Sequence, residues 1–214
     1  RMDFAKPEAV KTINSWVSKN TGEKIPKILD KTKSDDVAFI INAIYLKARW
    51  LHPFAGDKTS NWSFNLADGT KKQVKFMNMK RQDFSYLENQ DFQAINLPYK
   101  DNRLSLYVFL PGKETTLSAF ENGLTSQKLD SWLGQFKSRK GALSLPKFKI
   151  EDRMTLKQPL SNMGMTLAFS PDKADFTRMT SIDTSGGKRV YIDDVIHNTF
   201  MKVDEEGTEA AAAT

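Results

Sequence analysis

The chain has 214 residues, of which 39% are hydrophobic and 27% are charged, with 8 prolines and 11 glycines. This balance is typical of a folded domain and excludes a disordered or collagen-like chain. The longest nearly apolar run, Val37–Leu46, is half of the ~20 residues that a membrane-spanning helix needs. Cysteine is absent, which excludes disulfide bonds, thiolate catalysis and cysteine-bound metals.

The charge is basic, with 32 Lys and Arg against 26 Asp and Glu, a net charge of +6 and a pI near 9.3. Such an excess raises the hypothesis that the protein binds a polyanion such as heparin or a nucleic acid. The cations are dispersed, and their densest cluster, Lys137–Lys149, also alternates like a strand. The two histidines, His52 and His197, are too few for a histidine-rich metal site, so we expect neither metal nor cofactor.

A helix and a buried strand are predicted in the first 50 residues. Pro7 opens the helix and Asn20 and Gly22 close it. Its apolar positions are Val10, Ile13, Trp16 and Val17. The near-continuous apolar run inside Asp35–Arg49 is typical of a central strand that is covered on both faces. Asn42 is the only amide in that run, and a buried amide must find a hydrogen-bond partner.

The rest of the chain mixes strands and helices. Alternation predicts strands between Asn61 and Leu110, on both sides of Pro146, and over Val190–Val203. Helices are predicted after Ser126 and from Met154 to near Gly164, with a turn before Phe169. Because this order lacks βαβ regularity, we predict a single α+β domain over residues 1–214.

Catalysis has little support in the sequence. A hydrolase triad needs a nucleophile, a histidine and an acid, and His197 with Asp193 or Asp194 is the only plausible base and acid. No Gly-x-Ser-x-Gly elbow or phosphate-binding loop accompanies them. A lone histidine on an apolar strand is more often a hydrogen-bonded core residue. We therefore expect no catalytic residues and no enzymatic activity.

The last segment, Asp204–Thr214, admits two interpretations. Helix propensity favours a helix that is capped by Thr208 and continues through the alanine run. The alternation of a strand over residues 207–214 instead places small uncharged residues on one face. The only charge of this stretch, Glu209, then lies on the other face. Such a strand could slide between two existing strands, and a segment that is either loop or strand suits a conformational switch.

Several segments closely resemble the serpin family. Glu205-Glu-Gly-Thr-Glu-Ala-Ala-Ala-Ala-Thr214 resembles the reactive-loop hinge of its inhibitory members. Asn42–Trp50 with Pro53-Phe54 resembles the family's Asn-Ala-(Ile/Leu)-Tyr-Phe-Lys…Trp…Phe strand, with Leu46 in place of the usual phenylalanine. Further matches are Asp3-Phe4, Ile13–Val17 and Thr21–Ile25 in the helix-F region, and Leu145–Phe148, Gly164-Met165, Phe169-Ser170 and Ala174–Phe176 in later blocks.

The resemblance implies a serpin fold, which has three β-sheets with surrounding helices. This chain is expected to hold an incomplete form that lacks the N-terminal helices and the C-terminal strands, with residues 204–214 as the reactive-loop hinge. The scissile bond is expected to lie outside this chain.

The resemblance also implies a function. An inhibitory serpin is a suicide substrate whose cleaved loop inserts into the central sheet and traps a target protease of serine or cysteine type. Because no charge, proline or bulky residue disrupts the hinge, we favour an inhibitor of this kind. We expect it to be extracellular. A non-inhibitory serpin that acts as a chaperone or carrier is the alternative. The expected partners are the protease, the remaining segments of the same serpin and, weakly, a polyanion, with no membrane.

Three groups of residues take roles from the resemblance. The reactive-loop hinge comprises Glu205, Glu206, Gly207, Thr208, Glu209, Ala210, Ala211, Ala212, Ala213 and Thr214. The shutter, where the sheet parts, comprises Asn42 and His197, which we expect to hydrogen-bond to each other. The breach comprises Trp50, Lys147 and Glu205.

Two further expectations concern the loop. The Lys147–Glu205 ion pair is expected to hold the near end of the loop in its uninserted state. On insertion, the face that bears Thr208, Ala210 and Ala212 is expected to enter the core, while Glu209 stays outside it.

Overall fold

The computed structural model describes residues 2–66, 68–179 and 189–214. Its helices are α1 (Pro7–Asn20), α2 (Leu117–Asn122), α3 (Ser126–Leu133) and α4 (Lys157–Asn162). Its strands are β1 (Ala43–Arg49), β2 (Ser60–Asn65), β3 (Lys71–Glu88), β4 (Phe92–Pro98), β5 (Ser105–Pro111), β6 (Lys137–Pro146), β7 (Phe148–Thr155), β8 (Ile196–Val203) and β9 (Gly207–Ala213). The α+β prediction is confirmed.

Contacts divide the chain into two compact units. The first unit comprises Arg1–Leu46, Lys149–Lys202 and Glu209–Thr214, and the second comprises Lys47–Phe148 and Val203–Thr208. Among the described residues the strands form a four-stranded sheet in the order β1-β9-β8-β7 and a five-stranded sheet. In the five-stranded sheet the long strand β3 pairs with β2, β4 and β6.

Helix α1 packs in the first unit through a stripe at intervals of four residues, Ala9, Ile13 and Val17, all of which are buried. Trp16 lies at the margin of this stripe and is 46% exposed, although its spacing suggested a core position. The core around the stripe consists of Ile13, Val17, Ile25, Ile28, Leu29, Phe200, Ala211 and Ala213. Two alanines of β9 therefore belong to the same core as helix α1.

A side-chain clamp fixes the segment that follows α1. Asn14 donates from Nδ2 to the carbonyl of Leu29 at 2.9 Å, and its Oδ1 accepts from the backbone N–H groups of Ile28 and Leu29. Because one side chain satisfies three backbone groups, the chain after the helix is held close to it without regular secondary structure.

An aromatic cluster forms a core of the second unit. Phe92 of β4 contacts Phe109 of β5, Phe120 of α2 and Trp132 of α3, with ring centroids 4.6–5.6 Å apart. This cluster attaches the two short helices to strands β4 and β5. No helix in the described part of the chain is long and apolar enough to cross a membrane.

The structure corrects three boundaries. β1 begins only at Ala43 and lies at the edge of its sheet, so the apolar run is not a central strand among the described residues. The helix predicted from Met154 to near Gly164 is shorter, because β7 continues to Thr155 and α4 covers Lys157–Asn162. β8 starts at Ile196 rather than at Val190.

Candidate functional site: the hinge strand and its surroundings

The hinge segment, Glu205–Thr214, contributes the strand β9, which lies between β1 and β8. The backbones of Asn42 and Thr214 exchange two hydrogen bonds, of 2.8 and 3.0 Å, and the N–H of Trp50 donates to the carbonyl of Glu206 at 2.9 Å. These two pairs fix β9 as antiparallel to β1. The alanine run is a strand and not a helix because ladder partners on both sides satisfy its backbone, which outweighs helix propensity.

A tight turn joins β8 to β9. The Asp204 carboxylate accepts from the backbone N–H groups of Glu206 and Gly207, and the Asp204 N–H donates to the Gly207 carbonyl at 3.0 Å. Gly207 then passes very close to β1, since an added Cβ would lie 2.0 Å from the Ala48 carbonyl oxygen. Only glycine fits this position.

The carboxylate of Glu205 is held at both of its oxygens. Lys147 donates from Nζ to Oε2 at 2.5 Å, and the Thr59 hydroxyl donates to Oε1 at 2.7 Å. The predicted ion pair between Lys147 and Glu205 is confirmed, whereas Thr59 was not identified from the sequence. Burial alone would raise the pKa of Glu205, but the bonds from Lys147 and Thr59 outweigh it and lower the pKa below its usual range.

Trp50 and Tyr99 form a stacked pair beneath the start of β9. Their ring centroids are 4.8 Å apart at an interplanar angle of 9°. The Trp50 indole N–H donates to the carbonyl of Asp204 at 2.8 Å, and the Tyr99 hydroxyl donates to Thr208 Oγ1 at 2.7 Å. Thr208 is only 3% exposed, so this bond satisfies a buried hydroxyl. Strand alternation in the sequence predicted that Tyr99 is a core residue but did not indicate that its hydroxyl contacts the hinge segment.

His197 pairs with the far end of the hinge segment. Its Nδ1 lies 2.5 Å from Thr214 Oγ1. Asn42 is exposed and meets Thr214 through its backbone. The predicted Asn42–His197 hydrogen bond is therefore wrong in this arrangement, because Thr214 of the hinge segment occupies the place between β1 and β8.

The residues considered for catalysis have other partners. The Asp193 carboxylate accepts from Lys33 Nζ at 2.7 Å, which lowers the pKa of Asp193. Asp194 accepts from the backbone N–H of Val195. No hydrogen bond or ion pair joins either acid to His197 among the described residues, and those residues contain no cluster of ligands that could hold a metal ion.

Comparison with known proteins decides the family. The family described as "Serpin (serine protease inhibitor)" matches residues 1–214. The chain belongs to the serpin family. The leukocyte elastase inhibitor of Homo sapiens is 36% identical over 224 residues, which cover 100% of this chain and 58% of that protein. The chain thus spans a little over half the length of this curated relative.

Two solved serpin structures share the fold. The thermophilic serpin tengpin in the latent state matches with a TM-score of 0.87 and 33% identity, over 100% of this chain and 57% of that one. Cleaved kallistatin complexed with heparin matches with a TM-score of 0.90 and 28% identity, over 100% of this chain and 62% of that one. The α+β arrangement described above is therefore a partial serpin fold.

The alternation expected for the serpin hinge is only partly correct. Thr208 is buried as predicted, but Ala210 and Ala212 are partly exposed, while Ala211 and Ala213 are 4% and 1% exposed. The reason is that helix α1 and the segment after it cover the odd-numbered face of β9. Glu209, on the same face, is also engaged and does not project freely.

The expectation that the Lys147–Glu205 ion pair holds the near end of the loop in its uninserted state stays a prediction. The pair is present while β9 is a strand of the sheet, because both residues lie beside the β8–β9 turn rather than along the alanine run. The pair therefore stabilises the inserted arrangement as well.

We expect Glu205→Gln to remove an acid-sensitive part of the stability of this arrangement. Since the folded pKa of Glu205 lies below the ordinary value of 4.5, the contribution is complete above about pH 4.5 and is lost as the pH falls through the lower, folded pKa. The partly buried pair contributes roughly 1 kcal/mol. Urea unfolding of the full-length, loop-cleaved protein between pH 7 and pH 3 measures it. An acid-induced loss equal in the variant and the wild type would contradict this assignment.

Proposed function

We propose that the full-length protein is a protease inhibitor that acts as a suicide substrate and not as an enzyme. One observation carries the proposal: the hinge segment forms a strand between β1 and β8, and its residues after Glu209 are alanines followed by a threonine. Such residues can enter a packed sheet without burying a charge or a bulky group. Cleavage of the loop beyond Thr214 would free this segment to insert while the protease is still bound as an acyl-enzyme.

The alternative is a non-inhibitory serpin that serves as a chaperone or carrier. An inhibitor requires a hinge whose entry is fast, since the acyl-enzyme would otherwise hydrolyse. Two observations support the inhibitor: the side chains after Glu209 are small, and two of the three carboxylates of the hinge segment, Glu205 and Glu209, have partners.

The experiment is incubation of the full-length protein with active serine proteases, followed by denaturing gel electrophoresis. Leukocyte elastase is the first choice, because a relative at 36% identity is named as its inhibitor. A cysteine protease tests the second target class. We expect a complex that survives denaturation with at least one protease. Loop cleavage by every protease without such a complex would favour the chaperone or carrier.

We also propose an extracellular site of action. The sequence Asn61-Trp62-Ser63 matches a glycosylation acceptor, and these residues are exposed on strand β2. A mass shift of the secreted protein on treatment with an N-glycosidase, absent in Asn61→Gln, is the expected result.

A polyanion such as heparin is the second proposed partner. Lys137, Arg139 and Lys140 of β6 are exposed, and no ion pair engages them in the described part of the chain. Lys80 of β3 stands opposite Ala142, on the strand face that also carries Lys140. Alternation places Lys137 and Arg139 on the opposite face of β6, so each face of the paired strands carries two cations that would attract sulfate groups.

Replacing Lys137, Arg139 and Lys140 by glutamine should therefore lower the salt concentration at which the full-length protein elutes from immobilised heparin. The matched control replaces three exposed lysines elsewhere on the same sheet, Lys71, Lys72 and Lys75. Equal losses in the two triple variants would show a response to net charge alone and would contradict a site on β6.

A further inference from the structure

The carboxylate of Glu209 is held from two sides within the first compact unit. The Tyr45 hydroxyl donates to Oε1 at 2.6 Å, and the Lys24 ammonium lies 3.0 Å from Oε2. The Glu209 side chain is 17% exposed and that of Lys24 is 32% exposed, so water screens the pair only in part. The hydrogen bond to Glu209 also raises the pKa of Tyr45.

The fold prepares the positions of both partners. Tyr45 lies on β1, next to β9, and its ring covers Gly22 in the turn after α1. An added Cβ on Gly22 would lie 2.8 Å from this ring, and the φ of Gly22 is +57°. The left-handed backbone favours glycine, and a larger residue would push against the Tyr45 ring. Two residues further along the chain, Lys24 reaches the same carboxylate.

A second cation lies close to the contact. Lys24 and Lys149 each place Nζ 5.6 Å from the centroid of the Phe200 ring. Lys149 has Glu151 as its own ion-pair partner, at 2.8 Å, whereas the ion pair of Lys24 is formed with Glu209. One carboxylate thus meets a preformed ammonium and hydroxyl beside an aromatic ring.

We propose that Lys24 and Tyr45 are positioning residues that capture Glu209 when the hinge strand enters the sheet. Glu209 reaches them because β9 is paired with β1, so the contact favours the inserted over the expelled hinge. This inference rests on the proposed inhibitory function. It gives the Glu209 carboxylate a role in insertion, whereas strand alternation alone predicts only that this charge stays outside the core. Glu209 is the second residue of β9 to enter after Gly207, so its capture comes early in insertion.

The test compares Tyr45→Phe, Glu209→Ala and the double variant in the full-length protein, because alanine removes the oxygen that accepts from Tyr45, which glutamine would keep. Two quantities are measured: the number of inhibitor molecules cleaved per covalent complex formed, and the midpoint of guanidinium unfolding before and after loop cleavage. We expect each single variant to raise the first number severalfold and to lower the midpoint of the cleaved form alone. The double variant should lose no more than the larger single loss, because both changes remove the same bond.

Tyr191→Phe is the matched control, because this tyrosine is exposed in the same unit. Equal midpoint shifts in cleaved and uncleaved protein, or additive losses in the double variant, would overturn the inference. If the wild type forms no covalent complex, the proposed function fails by itself. The midpoint of the cleaved form then still decides whether Tyr45 holds Glu209.

Discussion

Gly207→Ala is expected to convert the inhibitor into a substrate that the target protease cleaves without being trapped. The added methyl group would lie 2.0 Å from the Ala48 carbonyl oxygen and 2.9 Å from the Arg49 Cα. Both obstacles are backbone, so β1 or β9 must move, and forcing atoms into a filled space costs about 1–3 kcal/mol. If this cost raises the activation free energy of insertion, the insertion rate falls about tenfold for every 1.4 kcal/mol, and fewer covalent complexes form.

Gly56→Ala is the matched control, because an added Cβ on Gly56 meets nothing within 4 Å. The ratio of covalent complex to cleaved inhibitor, read from a denaturing gel, should change for Gly207→Ala and remain at the wild-type value for Gly56→Ala. An unchanged ratio in both variants would mean that the close approach of β9 to β1 is not needed for inhibition.

Thr208→Arg should have an effect of similar size through a different cause. Thr208 is 3% exposed and its hydroxyl accepts from Tyr99, so arginine would bring an unpaired charge into a filled site. Burial of an uncompensated charge costs several kcal/mol even after the surroundings relax. The loop would remain cleavable, and the variant should behave as a substrate. Thr208→Ser, which keeps the hydroxyl, should still inhibit.

Glu206→Arg controls for the added positive charge, since Glu206 is an exposed neighbour in the same segment. Glu209→Arg is not a suitable control, because Lys24 and Tyr45 hold that carboxylate. If Thr208→Arg and Glu206→Arg form equal amounts of covalent complex, burial of position 208 has no part in inhibition.

The sequence predicted those elements whose pattern is local. Helix α1 has the bounds that Pro7 and Asn20 indicated, and the stop at Pro111 matches the end of β5. The Lys147–Glu205 pair followed from the family resemblance and is present at 2.5 Å. The α+β class followed from the order of the elements.

Other features depend on residues that are distant in sequence and could not be predicted. Which face of β9 is buried depends on helix α1, roughly 200 residues earlier, and the alternation of β9 itself carries no sign of it. The hydroxyls of Tyr45, on β1, and of Tyr99, the residue after β4, contact the hinge segment only because the fold brings them together. The sequence indicated that Gly22 closes helix α1, but its proximity to the Tyr45 ring becomes visible only in the folded chain.

The central claim is that cleavage of the loop lets the hinge segment occupy the place between β1 and β8. Guanidinium unfolding of the full-length protein before and after cleavage of its exposed loop tests this most directly. Insertion of β9 between β1 and β8 adds backbone hydrogen bonds and buried surface to the folded protein. We therefore expect a higher unfolding midpoint after cleavage. The same comparison in Gly207→Ala should show a smaller rise. An equal or lower midpoint for the cleaved wild type would contradict the account.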